Sequence, residues 1–238
     1  FPLFHINKRE MKQTENYAIK VYSRIPNDAI MHFKLKDLYL LAGLYNSAHY
    51  SNTGDVCTTN ITIKQLSDLT GVSQGYIGEY FLPKFRKENF GECKTLQLKE
   101  TIKRNEFKLP YPNENYRIIW KHIFSDSLLT PEEKGFLIGL YCLCVNGTFR
   151  YDLKDIEITQ KLGMDAKTYR KYRNALIEKR VIWSSYDAPM ALTHIEHLNA
   201  KVLMYSHLGY ATWIDKVLSF EADNEEIQEY LTMREFAA

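Results

Sequence analysis

One apolar pattern occurs twice in the chain and predicts two similar core helices. Leu41–Tyr45 reads Leu-Ala-Gly-Leu-Tyr, and Leu137–Tyr141 reads Leu-Ile-Gly-Leu-Tyr, 96 positions later. Apolar residues three and four positions apart surround each copy, which is the spacing of one face of an α-helix. We therefore expect a helix over 37–50, and a second helix that begins at Pro131 after a Thr130 cap and runs to about residue 145.

Each predicted core helix is followed by the pattern of a helix-turn-helix. In both halves a helix ends at a turn glycine, which we expect to be left-handed in the first half, and a capping residue then starts the next helix. The landmarks are Thr62, Gly71 and Ser73 in the first half, and Gly163 and Asp165 after the helix 153–162 in the second. The two turn glycines are 92 positions apart, so the chain predicts two similar halves in tandem.

The helix that follows Ser73 has an apolar side and a proline. Helical spacing predicts that Tyr76, Ile77, Tyr80 and Phe81 lie on its inner side. Pro83 lacks a backbone N–H, so we expect it to interrupt or kink this helix.

Alternating apolar and polar residues predict a hairpin after each helix-turn-helix. The first is expected over 95–109, and the second from strands at 181–183 and 191–193 with a turn at 187–189. A proline-containing linker over 108–115 separates the halves, and 116–120 reads as a short strand or a lead-in to a helix.

Three helices followed by a hairpin is the order of a winged helix. The predicted fold class is therefore mainly α with small β hairpins, in two tandem winged helix-turn-helix domains. The first domain covers 1–110 and includes an N-terminal arm, and the second covers 111–220. An acidic helix or tail is expected over 221–238.

Local charge marks the helix after Asp165 as a candidate DNA-binding element. The whole chain carries a net charge of only +2, but 161–180 holds seven basic residues and two acidic ones. We expect Tyr169, Tyr172 and Leu176 to pack inward. The candidate DNA contacts on this helix are Lys167, Thr168, Arg170, Lys171 and Arg173. Arg and Lys on an exposed helix face contact guanine edges and phosphates in the major groove, although a solvated basic surface is the simpler alternative.

The first half presents its basic residues later in the sequence. Its helix begins with nearly uncharged residues, whereas 84–104 holds seven basic residues and three acidic ones. Basic side chains there are expected to contact phosphates, which positions a protein on DNA without reading its sequence. The candidate contacts are Gln74, Tyr76, Lys84, Arg86, Lys87, Lys103 and Arg104. A copy that only packs or dimerises is the alternative.

Other kinds of chemistry find little support in the sequence. There is no phosphate-binding glycine loop, no nucleophile elbow and no zinc-protease motif, so we expect neither an enzyme nor a cofactor. His194 and His197 have ligand-like spacing but nothing completes a metal set, so no metal is expected. The four cysteines read as buried reduced thiols, which indicates a cytoplasmic protein. No apolar run has the length of a membrane span.

The second half resembles the winged-helix domains of plasmid and phage replication initiators of the Rep and DnaD-like types. The matching segments are Leu129–Lys134, Leu137–Tyr141, Leu162–Asp165 and Leu176–Ile182. Arg180 stands where these domains usually have glycine before the wing. The resemblance implies double-stranded DNA as partner, with contacts confined to the helices that begin after Ser73 and Asp165.

The sequence therefore predicts a DNA-binding protein of replication initiation. A transcriptional regulator of a mobile element shares the same fold and is the first alternative. A winged-helix adaptor that binds proteins without contacting DNA is the second. A homodimer and a complex with the replication or transcription machinery are both open as assemblies.

Overall fold

The computed structural model describes residues 22–50, 56–99, 102–144, 150–151, 153–179, 181–183 and 201–203. The helices in these ranges are α1 (Ala29–His32), α2 (Lys36–Ser47), α3 (Ile63–Thr70), α4 (Gln74–Tyr76), α5 (Leu82–Lys87), α6 (His122–Ser125), α7 (Pro131–Cys142), α8 (Asp155–Leu162) and α9 (Ala166–Glu178). A π-helical turn over Ile77–Phe81 joins α4 to α5, and the continuous stretch is called helix 74–87 below.

Three antiparallel sheets contain the described strands. The strands are β1 (Tyr22–Pro26), β2 (His49–Tyr50), β3 (Val56–Ile61), β4 (Glu92–Lys99), β5 (Ile102–Pro110), β6 (Tyr116–Trp120), β7 (Arg150–Tyr151), β8 (Ile182–Trp183) and β9 (Lys201–Leu203). Their order is β1-β6 in one sheet, β2-β3-β5-β4 in the second and β7-β9-β8 in the third.

The order of elements repeats between the two halves. Strand, short helix, core helix, strand, helix, helix and two paired strands follow one another from β1 to β5 and again from β6 to β9, with β2 as an additional strand of the first half. The sheet order agrees as well, because β3-β5-β4 in the first half corresponds to β7-β9-β8 in the second. The repeat seen in the sequence is thus a repeat of topology.

The counterpart strands β1 and β6 pair with each other across the halves. In the middle of this antiparallel ladder Arg24 lies opposite Ile118, 94 positions later, so each strand meets its own counterpart running the other way. The counterpart core helices α2 and α7 also pack together. An approximate two-fold relation between the halves follows from these two contacts.

The repeated glycines explain why the apolar pattern recurs. A Cβ on Gly43 would lie 3.0 Å from Thr70 and 3.1 Å from Leu66 on α3, and one on Gly139 would lie 3.1 Å from Leu162 on α8. In each half the glycine lets the next helix approach the core helix closely. The flanking leucines and tyrosines are buried, as expected for core helices.

Several predicted local signals are confirmed. Gly71 adopts a φ of 69°, the left-handed conformation expected at the first turn, and Gly163 at the second turn has a similar φ of 55°. Ser73 accepts a hydrogen bond from the Tyr76 N–H, and Thr130 forms a reciprocal capping box with Glu133 before α7. The first hairpin forms from β4 and β5, and 116–120 is a strand, β6.

The expectation of a mainly α protein is wrong, because the structure is mixed α/β with small antiparallel sheets. The β4–β5 hairpin is long, and the β1–β6 sheet joins segments 94 positions apart that no local pattern connects. Helix ends differ slightly too: α2 stops at Ser47 and α7 at Cys142, each about three residues early.

The helix after Ser73 agrees with its prediction in part. A π-helical turn that places the Leu82 N–H on the Ile77 carbonyl interrupts the α-helix just before Pro83, and the chain then continues as α5. Tyr80 was expected to lie inward, but 63% of it is exposed. Ile77 and Phe81 are buried as predicted.

Some predictions fall outside the described residues. These are the N-terminal arm over 1–20, the wing turn at 187–189, the strand at 191–193, the histidines at 194 and 197, and the acidic tail over 221–238. Within the described part, β9 at 201–203 lies between β7 and β8 and supplies the central strand of their sheet.

Candidate nucleic-acid interface

Helix α9 is held at its start by a carboxylate cap. Asp165 accepts hydrogen bonds from the Thr168 N–H at 2.9 Å and from the Thr168 hydroxyl at 2.7 Å. These bonds lower the pKa of the Asp165 carboxyl below its ordinary value. The predicted contact residue Thr168 therefore serves the cap in this structure, and its hydroxyl is engaged within the protein.

Aromatic residues anchor the inner side of α9 to the core. Tyr169 and Leu176 are buried, and the Tyr169 ring meets Phe136 of α7 edge-on at 5.9 Å. The Tyr169 hydroxyl donates to Asp155 of α8 at 2.9 Å. Tyr172 is half-buried, with its ring 5.7 Å from Phe136. The residues on the inner side of α9 are those predicted, and their contacts with α7 and α8 fix the orientation of the helix.

The outer side of α9 presents exposed cations. Lys167, Arg170 and Lys171 are all exposed, and within the described ranges none of them lies within ion-pair distance of a carboxylate. Lys171 also lies 5.1 Å from the Tyr172 ring centre. Arg173 is half-exposed, and its guanidinium donates to Asn174 at 3.4 Å. These side chains form a cationic face on a rigidly anchored helix.

The corresponding face of helix 74–87 carries no cations and few side chains. Aligning the caps Ser73 and Asp165 places Gly75, Gly78 and Glu79 at the positions of Lys167, Arg170 and Lys171. A Cβ on Gly75 would meet nothing within 4 Å, so packing inside the protein does not require that glycine. The predicted contact Gln74 is exposed beside this face. The two halves share a fold but present different chemistry.

Two of the predicted contacts in the first half are engaged inside the protein. The Tyr76 hydroxyl donates to one oxygen of Asp37 at 2.9 Å, and the Lys84 ammonium donates to the other at 2.9 Å. The Tyr80 ring stacks outside Tyr76 at 5.5 Å, which explains its exposure. Burial and the neighbouring Asp37 raise the pKa of the Tyr76 hydroxyl.

The remaining candidates of the first half lie at the end of helix 74–87 and on the hairpin. Arg86 is exposed and donates to Thr95 of β4 at 2.9 Å, and Lys87 is exposed. Arg104 of β5 is half-buried, and its Nε has no hydrogen-bond partner in the described structure. Lys103 lies in β5 opposite Gln97, and its side chain is outside the described residues. Among the predicted contacts of this half, Arg86 and Lys87 are thus the exposed cations.

A carboxylate–lysine pair recurs in both halves and had no signal in the sequence analysis. Asp37 in the first turn of α2 pairs with Lys84, and Glu133 in the first turn of α7 pairs with Lys179 at 2.7 Å. Burial raises the pKa of Glu133, but hydrogen bonds from Lys179 and Thr130 outweigh it and lower the pKa below its ordinary value. Each pair fixes the helix after the turn to its core helix.

The described residues contain neither a metal-binding cluster nor a membrane-spanning helix. No group of three or more histidine, cysteine or acidic side chains there is arranged to hold a metal ion. None of the described helices combines the length and apolar character needed to cross a membrane. Comparison of the chain with protein-family models, curated proteins and solved structures found no match.

Proposed function

We propose that this protein binds double-stranded DNA, with α9 as its principal reading helix. The observation that carries the proposal is the exposed cationic face of Lys167, Arg170 and Lys171 on a capped helix directly after a glycine turn. A helix of this kind fits the major groove, where Arg and Lys contact guanine and phosphate oxygens. The proposed biological role is initiation of replication of plasmid or phage type, as the sequence resemblance implies.

The topology supports a winged-helix assignment for each half. Three helices and three antiparallel strands follow the same order twice, with β2 as a fourth strand in the sheet of the first half, and the paired strands β8 and β9 follow the cationic helix in the second half. In tandem winged helices the helices after the turns enter grooves and the hairpins contact the backbone. The approximate two-fold relation predicts that the halves meet DNA half-sites in opposite orientations.

The unequal faces of the two helices predict unequal contributions to binding. Helix α9 carries three exposed cations, whereas helix 74–87 carries Gly75, Gly78 and Glu79 at those positions. Arg86 and Lys87 remain exposed at the end of helix 74–87, where they suit phosphates. We expect α9 to supply most of the affinity.

Titration of a labelled random-sequence duplex over a range of salt concentrations tests the proposal. Because phosphate contacts release counterions, the affinity is expected to fall steeply as salt rises. Weak binding that does not respond to salt would contradict the proposal. The positions of bound sites in the genome, at origin repeats or at promoters, separate replication from transcriptional regulation.

A protein-binding adaptor is the second candidate, and one observation favours it. The face of helix 74–87 is nearly uncharged and has the exposed Tyr80 beside it. Such a surface is more typical of protein contacts than of phosphate contacts. Charge reversal at Arg170 and Arg173 discriminates the two functions, because an unchanged DNA affinity would support the adaptor.

A further inference from the structure

An ion pair joins the two halves at equivalent positions of the repeat. The Lys36 ammonium lies 2.6 Å from a Glu132 carboxylate oxygen. These residues are 96 positions apart, the same offset that relates Gly43 to Gly139 on the same two helices. Lys36 and Glu132 are therefore counterparts, and their contact lies close to the approximate two-fold axis. Identical residues at these positions would place like charges together, whereas this chain has opposite charges.

The pair also connects the two helices that follow the turns. The Lys36 ammonium lies 4.3 Å from the ring centre of Tyr76, which belongs to helix 74–87. Glu132 lies beside Glu133 in the first turn of α7, and Glu133 holds Lys179 at the end of α9. Lys36 thus contacts helix 74–87 and α7 at once, at the first turn of α7 that also anchors the end of α9.

Packing, and not this ion pair, supplies the stability of the junction. Both side chains are about one-third exposed or less, at 26% and 31%, and ion pairs with such access to water contribute little to folding. Next to the pair, the backbone of Leu35 lies directly against Gly135, and Leu38 approaches Gly139. The pair can therefore be altered without unfolding the protein, which makes its role testable.

We propose that the Lys36–Glu132 pair is a positioning element that sets the distance between helix 74–87 and α9, and hence the separation of the two DNA half-sites that one chain accepts. Lys36 contacts Glu132 of α7 and the Tyr76 ring at the same time, so the pair couples the position of helix 74–87 to α7. The inference rests on the proposed DNA-binding function for its consequence, but its structural part is measurable without DNA.

The first test measures the distance between the two helices directly. Spin labels are placed at the exposed positions Gln74→Cys and Asn174→Cys in a Cys93→Ser background. The three remaining thiols, Cys57, Cys142 and Cys144, are buried, and burial raises the pKa of the Cys142 thiol to about 12, so they do not compete for label. Lys36→Glu is expected to broaden or shift the distance distribution, and the exchange Lys36→Glu with Glu132→Lys is expected to narrow it again.

The second test measures the half-site separation with a random duplex pool. The wild type is expected to select two sequence blocks at one separation, and insertion of a single base pair between them should weaken binding about tenfold, as a mismatched pair does. Lys36→Glu should select the same blocks over a range of separations. Lys121→Glu is the matched control, because it makes the same charge change at an exposed residue outside the helix-turn-helix and the hairpin of either half.

The outcomes separate this inference from the proposed function. An unchanged distance distribution in Lys36→Glu and in the milder Lys36→Gln would overturn the positioning role, and so would an unchanged half-site separation. Failure of the wild type to retain any duplex would overturn the DNA-binding function and with it the half-site part of the inference. The result expected is one half-site separation that Lys121→Glu retains, that Lys36→Glu loses and that the charge exchange restores.

Discussion

The contact between α2 and α7 makes a sharp prediction about Gly135. A Cβ built on this residue would overlap the Leu35 carbonyl, far inside the 3.0 Å below which real Cβ contacts essentially never occur. The obstructing atoms belong to the backbone, so no side-chain rotation relieves the overlap. Leu35 itself has a φ of 49°, which lies in a region of backbone conformation that residues other than glycine rarely adopt. Its peptide therefore has little freedom to move.

The cost of Gly135→Ala follows from this geometry. The helices must separate by roughly an ångström, which disrupts close packing over the whole contact between the halves. Overpacked cores lose about 1–3 kcal/mol and more where the backbone must shift, so we expect a loss of about 3 kcal/mol or more. For a protein of this size that loss corresponds to a drop in Tm of about 6–12 °C.

Gly75→Ala is the matched control, because it makes the same chemical change with the opposite expected sign. A Cβ there meets nothing within 4 Å, and alanine is the better helix former by about 0.5–1 kcal/mol. Thermal unfolding followed by circular dichroism compares the two variants with the wild type. A Tm for Gly135→Ala that equals or exceeds that of the wild type would refute the close contact between the halves.

Three further variants test the packing of the second half. Lys179→Met leaves the nearly buried Glu133 without its ion-pair partner, and because the Lys179 side chain is 35% exposed we expect a loss of about 1–2 kcal/mol near pH 7. Because the folded pKa of Glu133 is lowered, the stabilisation by this pair is complete above the ordinary pKa of 4.5. The denaturation midpoints of variant and wild type should therefore converge as the pH falls through the lower folded pKa. Arg117→Met removes the buried guanidinium that donates to the carbonyls of Tyr141 and Cys144 at the end of α7, at a cost of about 2 kcal/mol in urea unfolding, and an unchanged midpoint would contradict that role. Thr130→Ala should cost about 1 kcal/mol through loss of the cap, whereas Thr130→Ser should retain most of it.

Features that depend on a few neighbouring residues were predictable from the sequence. The left-handed glycine at 71 and the caps at Ser73 and Asp165 involve only local backbone geometry, and all three occur as predicted. The inward side of α9 was predictable for a related reason, since Tyr169 and Leu176 are seven positions apart on one helix face. The repeated pattern around Gly43 was readable because the fold repeats as well.

Features that depend on distant partners were not predictable. The β1–β6 pairing and the Lys36–Glu132 pair join residues more than 90 positions apart, and a single sequence holds no signal for them. Tyr80 was assigned to the core because it shares a side with Tyr76. In the structure Tyr76 occupies the place next to Asp37, so Tyr80 stacks outside it. Helical spacing predicts which side of a helix a residue lies on, but it does not predict how deeply that residue is buried.

The candidate DNA contacts were also predictable only in part. Their charge was visible in the sequence, but their availability depends on neighbours in three dimensions. Lys84 is paired with Asp37, whereas Lys167 is exposed without an ion-pair partner among the described residues. The structure thus concentrates the candidate interface on α9.

The most direct test of DNA binding by α9 is the salt dependence of binding after paired charge neutralisation. Arg170→Gln with Lys171→Gln is compared with Lys64→Gln and Lys121→Gln, which remove the same charge at exposed positions on other elements. If α9 contacts phosphates, the first pair should weaken duplex binding strongly and reduce the slope of log affinity against log salt by about 2, whereas the control pair should change little. Equal slopes for the wild type and the α9 variant would contradict the account.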